Sequence, residues 1–214
     1  MRPDAPDTAG EFQAYFNVSR ETCAYLTRYE ALLKHWQRRI NLVGPASLPA
    51  FWRRHASDSA QILALAAPSA KIWLDLGSGA GFPGLVVALL LAGRGQNDVQ
   101  VHLVESHAKK CAFLRAVVAE TGAPVRVHHG RIEALRLSVP PDIICARALA
   151  PLPDLLQYAA PHFGAQTRAL FHKGRNWQEE LTDARQWWTF ESDSHASATD
   201  PAARIVEIGG LSRK

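Results

Sequence analysis

Residues Lys71 to Glu105 restrict the possible folds more than any other stretch of the chain. Lys71-Ile72-Trp73-Leu74-Asp75-Leu76 is short and apolar, the cluster Gly77-Ser78-Gly79-Ala80-Gly81-Phe82-Pro83-Gly84 follows, and Leu85 to Ala92 is an unbroken apolar run. The order predicts strand, tight turn and helix, with Pro83 in the first helical turn, where its missing N–H is no loss, and Gly93 at the C-terminal cap. Val99 to Glu105 then predicts a second strand ending on an acid. In such a β-α-β unit the bare backbone of the turn can approach a ligand at a helix N-terminus. The carboxylate about 20 residues further on can accept hydrogen bonds from ribose hydroxyls.

Two registers compete for the glycines. Gly79-x-Gly81-x-x-Gly84 fits a dinucleotide fingerprint, but Gly77 and Ser78 then separate the strand from its first glycine. Asp75-Leu76-Gly77-x-Gly79-x-Gly81 instead resembles the acid-hydrophobic-GxGxG signature of S-adenosylmethionine (AdoMet)-dependent methyltransferases. The chain is also short for a dinucleotide domain plus a substrate domain. AdoMet is the preferred cofactor and NAD the alternative.

At 214 residues the chain is long enough for one substantial core. We expect an N-terminal helical extension over residues 1–68 and a compact core over 69–214. With no long apolar run, no charged-then-apolar leader and three scattered cysteines (Cys23, Cys111, Cys145), a cytoplasmic protein without membrane or metal is expected. A monomer is expected too.

The net charge of +4 is modest, but its distribution is not even. No acid occurs between Ala31 and Ser57, where Lys34, Arg38, Arg39, Arg53 and Arg54 are joined by His35 and His55. Such a stripe supplies sequence-independent affinity for phosphates, which favours a nucleic-acid partner over a merely solvated helix face.

Residues 1–16 read as loosely ordered. A helix is predicted from Asn17 or Ser19 to about Ile40, with an apolar stripe through Tyr25 or Leu26, Tyr29, Leu32 or Leu33, Trp36 and Ile40, and a second amphipathic stretch from Leu48 to Ala67. Past Glu105, Ser106 is expected to cap a helix to Thr121. Strands follow at Val125–His128, Asp142–Ala146 and Arg168–His172, separated by a short turn at Arg131–Leu135 and a helix at Asp154–Phe163. A helix from Asn176 and strands at Trp187–Glu191 and Arg204–Ile208 complete the pattern. This is a doubly wound, mostly parallel seven-stranded α/β sheet of Rossmann-like type, closed by a hairpin with one antiparallel strand.

Ligands of such sheets sit beyond the carboxyl ends of the strands. There the sequence lacks the Asn/Asp-Pro-Pro-aromatic motif used on exocyclic amines, since Ala146-Arg147-Ala148-Leu149 occupies its place. Cys145 has apolar flanks and reads as a core thiol rather than a nucleophile. A lone pair such as guanine N7 needs neither device, because it can attack a sulfonium methyl without prior deprotonation.

From about Leu32 to Gly174 the chain resembles the bacterial glucose-inhibited division protein B family, the 16S rRNA guanine-N7 methyltransferases. The residues that carry the resemblance are Trp36 through Asn41-Leu42, Arg54-His55-Ala56-Ser57-Asp58-Ser59, Asp75 to Gly84, Glu105-Ser106 with Lys109-Lys110, Arg147-Ala148-Leu149-Ala150 and Lys173-Gly174. The resemblance implies AdoMet contacts at Gly77, Phe82, Ile132 and Glu133, a site role for Arg147, and 16S rRNA or the small ribosomal subunit as partner. Ala80, Leu149 and Glu105 stand where relatives commonly have Pro, Phe and Asp. Gly79 and Gly81 are assigned to the cofactor's approach, Glu105 to the ribose, and Asp75 to the loop or the cofactor's ammonium. Arg147 is the one candidate catalytic residue, through positioning, at the methionine carboxylate, guanine O6 or a phosphate, with a structural salt bridge as the alternative. Lys34, Arg38, Arg39, Arg54, His55 and Lys173 are the candidate RNA contacts, and for Arg54, His55, Asp58 and Lys173 the roles weighed are holding the RNA or ordering the entrance. A different acceptor, and a non-catalytic ribosome-binding protein, remain open.

Overall fold

The computed structural model describes residues 5–214. Thr8 and Glu11 form a reciprocal capping box that opens α1 (Ala9–Tyr15), so the described part of the N-terminal segment is helical, contrary to the expectation of loose order; residues 1–4 lie outside the described residues. Ser19 caps α2 (Arg20–Gln37), accepting from the Thr22 N–H at 3.0 Å. Residues 45–64 do not form one amphipathic helix. They run as a 3₁₀ segment (Pro45–Ala50), a wide π-helical segment (Phe51–Ser57), the single turn α3 (Asp58–Ala60) and a second 3₁₀ segment (Gln61–Ala64). Such irregular winding frequently accompanies functional sites.

The central unit follows as β1 (Ile72–Leu76), α4 (Gly84–Gly93), β2 (Gln100–Glu105), α5 (Ala108–Thr121) and β3 (Val125–His129). Pro83 is the N-cap of α4 rather than part of its first turn, and His107 rather than Ser106 precedes α5. Then come β4 (Ile143–Arg147), α6 (Leu152–Ala159), β5 (Arg168–Lys173), α7 (Trp177–Ala184), β6 (Trp188–Ala196) and β7 (Arg204–Arg213). The last two strands exceed the expected spans, leaving only residues 197–203 between them. β6 is the edge of the sheet and alternates poorly, with a polar, largely exposed second half that gives little sequence signal.

The seven strands lie in the order β3-β2-β1-β4-β5-β7-β6, parallel except for β7, which runs antiparallel to both neighbours. The carboxyl ends of β1, β2, β4 and β5 therefore share one rim. α6 and α7 cover one face, and α4 and α5 cover the other. α2 packs over α4 and α5, so Leu26, Tyr29 and Leu33 join Leu85, Leu103 and Phe113 in one core. This explains why α4 is apolar on every side: it is buried between sheet and helix. Each such Leu or Phe contributes about 1.5–3 kcal/mol by leaving water. The Tyr29 hydroxyl, fully buried, donates to the Ala80 carbonyl and ties α2 to the glycine-rich turn.

Candidate active site

Along the shared rim the turn 77–83 opens into a cavity of about 700 Å³. Gly77, Gly79 and Gly81 all have positive φ (63°, 57° and 93°), a conformation that side chains disfavour. A Cβ on Gly77 would lie 2.5 Å from Leu149 Cδ1. Leu149 reaches that point because Ala148, with φ 53°, turns the chain sharply beyond β4. Gly77, Gly79 and Phe82 line the cavity, whereas Asp75 and Gly81 sit behind its wall. Asp75 is fully buried and its Oδ2 accepts from the Gly84 N–H at 3.0 Å, fixing the entry of α4. Burial pushes its carboxyl up to about 7, in spite of that hydrogen bond.

Glu105, only 7% exposed, ends β2 beside the turn. Its Oε2 accepts from the Gly79 N–H at 2.9 Å and its Oε1 from the His107 N–H at 2.7 Å, which holds the carboxylate at the cavity wall. Ile132 and Glu133, in the short turn after β3, line the same side. The structure thus gathers Gly77, Gly79, Phe82, Glu105, Ile132 and Glu133 above β1, β2 and β3.

Above β4 and β5 lies the second half of the cavity, centred on Arg147. Its Nη1 donates to the Arg54 carbonyl at 2.8 Å and to Asp58 Oδ2 at 3.1 Å, and its Nη2 to His55 Nδ1 at 2.9 Å. Its guanidinium stands 4.9 Å from the Phe82 ring centroid, over which His55 also stacks at 4.7 Å. A guanidinium only donates, so His55 Nδ1 is the unprotonated nitrogen and Nε2–H donates to Ser47 Oγ at 3.1 Å. Burial, and then the Arg147 charge, hold His55 down to about 3.

His55 is therefore neutral and 5% exposed, which corrects its expected role as a cation on RNA; its contact with Arg147 fits the other expected role, ordering the entrance. Lys173 is corrected likewise. It is 8% exposed, its Nζ lies 2.5 Å from Glu180 Oε2 and donates to the Ala150 carbonyl at 2.9 Å, so it anchors the segment after Arg147. Arg54 is half exposed at the rim, with a loose 3.6 Å approach to Asp200. Lys34, 2.6 Å from Glu30, and the exposed Arg38 and Arg39 lie on α2 and its end, outside the cavity.

Asp58 joins more segments than its sequence context suggests. Its Oδ1 accepts from Thr199 Oγ1 and Gln61 Nε2, each at 2.8 Å, and its carbonyl accepts from His172 Nε2 at 2.8 Å. Burial pushes the Asp58 carboxyl up, but His172, Arg147 and the Thr199 hydrogen bond outweigh it and leave it below its ordinary value. Sequence reasoning missed Thr199, Asp200 and His172, for which no local motif exists. Cys145 is fully buried outside the cavity lining and burial pushes its thiol well above its usual range, as suits a core thiol. Among the described residues no helix is long and apolar enough to cross a membrane, and no group of three or more His, Cys, Asp or Glu side chains gathers around a common metal position.

With this geometry in place the comparisons with known proteins are specific. The family model for GidB, rRNA small subunit methyltransferase G, matches residues 22–204. The chain belongs to this family. Ribosomal RNA small subunit methyltransferase G of Parvibaculum lavamentivorans is 51% identical over 201 residues, 94% of this chain and 88% of the relative. The protein of the same name from Caulobacter vibrioides strain NA1000 is 45% identical over 213 residues, 100% of this chain and 96% of the relative. Solved structures agree on the fold. An O-methyltransferase from Bacillus cereus in complex with SAH superposes with TM-score 0.58 at 12% identity, covering 87% of this chain and 90% of that one. The mitomycin 7-O-methyltransferase MmcR gives TM-score 0.58 at 15% identity, over 97% of this chain and 73% of that one. Like other members of the GidB family, the protein is a methyltransferase, and the sheet is that of class I AdoMet-dependent methyltransferases.

Proposed function

We propose that the chain transfers a methyl group from AdoMet to N7 of a guanine in 16S rRNA of the small ribosomal subunit. The observation that carries this is the pairing of the positive-φ turn 77–81 with Glu105 across one cavity wall, with Arg147 at the neighbouring strand end. The cavity suits AdoMet: bare backbone at Gly77 and Gly79 admits close approach, the Glu105 carboxylate has lone pairs left for ribose hydroxyls, and Ile132 and Glu133 flank the adenine position. AdoMet supplies an electrophilic methyl on a sulfonium sulfur.

Arg147 keeps N–H donors beyond those bonded to Arg54, Asp58 and His55, and we assign them to the methionine carboxylate. Asp58 and His55 hold the guanidinium in place, and Phe82 under both supplies an apolar floor that keeps water out. Guanine N7 presents a free lone pair, so no side chain has to remove a proton. Rate then comes from alignment and desolvation. The relatives' common name, ribosomal RNA small subunit methyltransferase G, supports the acceptor class.

The test is transfer of labelled methyl from AdoMet to small subunits lacking N7-methylguanine, followed by cleavage specific for that base. One cleavage position, lost with Arg147→Ala, is expected. Methylation that yields no N7-specific cleavage would refute the acceptor atom.

A further inference from the structure

The segment between β6 and β7 lies far from every motif in the sequence, yet Ser197, Thr199, Asp200 and Ala203 line the same cavity as Arg147. It is held rigidly. The Ala198 N–H donates to Gln61 Oε1 at 2.8 Å, Thr199 donates to Asp58, the Ala202 N–H donates to Asp200 Oδ1 at 3.0 Å, and the Ala203 N–H donates to the Asp200 carbonyl at 3.1 Å. Arg204 closes the turn by donating to the Pro201 and Ala203 carbonyls at 2.9 and 2.8 Å.

Two carboxylates line this half of the cavity among the described residues, Asp58 and Asp200. Both Asp58 oxygens are committed, Oδ2 to Arg147 and Oδ1 to Thr199 and Gln61. Asp200 is not. Its Oδ1 holds one backbone N–H, and its Oδ2 faces Arg54 at 3.6 Å, too far for a good hydrogen bond. A carboxylate offers about four acceptor positions. Asp200, with 39% of its side chain exposed, thus keeps acceptor positions open toward the cavity, beside a half-exposed arginine.

We infer that this wall is the acceptor-base subsite, in which Asp200 accepts the N1–H and N2–H groups of the target guanine while Arg54 swings out to a backbone phosphate. The inference rests on the function proposed above and adds how the base is chosen. Two adjacent donors match a carboxylate, whereas adenine would turn its N1 lone pair toward it, and a site built around such a pair rejects a base lacking it. The contact also favours the reaction. As the N7 lone pair bonds to the methyl carbon, the pair of the breaking C–S bond passes to sulfur. The positive charge moves from sulfur to the purine, and no proton leaves. The purine's N–H groups become stronger donors as that charge arrives, so the Asp200 contact strengthens toward the transition state. Arg54, released from Asp200, supplies a positioning contact to phosphate that carries no base information.

The experiment uses the full chain and small subunits reconstituted with 16S rRNA bearing either guanosine or inosine at the one position that the wild type methylates. Inosine keeps N7, O6 and N1–H but lacks the 2-amino group. The wild type is expected to prefer guanosine by about 10-fold, and Asp200→Ala to lose about 10- to 100-fold in kcat/KM on guanosine. The same variant should treat guanosine and inosine alike and bind AdoMet within about twofold of wild type, which verifies its fold. Asp200→Asn, of the same size, should show the same loss of discrimination and serves if the alanine variant folds poorly. Wild-type activity in either variant, or reduced activity with an unchanged guanosine-to-inosine ratio, would overturn the subsite. A wild type that methylates no guanine N7 would instead overturn the functional reading and the subsite with it.

Discussion

Arg147 Nη1 stands 3.1 Å from Asp58 Oδ2, with 16% of each side chain exposed, and this pair joins the end of β4 to the irregular helical run of residues 45–64. Because Asp58 also holds Thr199 and Gln61, the pair links the end of β4 to the segment between β6 and β7 across the cavity lining. Removing the acid leaves a largely buried guanidinium uncompensated. Asp58→Ala is therefore expected to lower unfolding stability by about 2–4 kcal/mol and to weaken AdoMet binding through misplacement of Arg147. Urea titration and calorimetric binding measure the two effects. A variant with wild-type stability would remove the pair from the architecture of the site.

Two buried groups, His55 and Asp75, predict opposite pH dependences. His55 is held at about 3 in the fold against 6.5 in the free side chain, so between those values the unfolded chain binds the proton. Its contribution is complete above about pH 6.5 and declines as the pH falls toward about 3. Asp75 is at about 7 against 3.8, so here the folded chain binds the proton and stability declines as the pH rises from about 4 to about 7. The stability difference between wild type and His55→Gln should thus grow with pH across that range. For Asp75→Asn the variant should gain on the wild type over the same range. Denaturant unfolding at several pH values between 4 and 8 checks both slopes, and a flat difference in either series contradicts the corresponding burial.

Gly77 serves both fold and cavity, and its two roles are separable. Gly77→Ala places a Cβ against Leu149 at a backbone conformation costing about 1–2 kcal/mol for a side chain, and on the function proposed above its methyl also crowds AdoMet. Adding Leu149→Ala relieves the contact with Leu149 alone. The double variant is expected to regain part of the lost stability and still bind AdoMet at least about 10-fold more weakly than wild type. Recovery of affinity in the double variant would mean that the turn does not meet the cofactor at Gly77.

The β-α-β unit was legible because each of its signals acts locally: positive-φ turns need glycine, a helix start tolerates Pro83, and an acid at a strand end reaches the adjoining turn. Glu105 and Gly79, 26 residues apart, meet as such a unit requires. Asp58 and Thr199 also meet, but 141 residues separate them and neither belongs to a periodic pattern, so the far wall of the cavity could not be read in advance. His55 misled for a related reason. In a run without acids it reads as a cation, and burial together with the neighbouring Arg147 charge, both tertiary, makes it neutral.

The same acid-free run still makes a prediction once its members are sorted by exposure. Arg38 and Arg39 are exposed just beyond α2, Lys34 on the same helix is paired with Glu30, and His55 carries no charge to offer. Arg54 stands at the cavity rim and Arg53 lies 3.5 Å from Asp7, so on α2 and its end phosphate contact falls to the two arginines. Each phosphate neutralised contributes about 0.7–0.9 to the log–log salt slope of RNA binding. Arg38→Ala with Arg39→Ala should lower that slope by about 1.5 and weaken binding without altering AdoMet affinity, since neither residue borders the cavity. RNA binding across a salt series measures the slope directly. An unchanged slope would place the RNA on the cavity rim alone, around Arg54, Lys110 and Arg131.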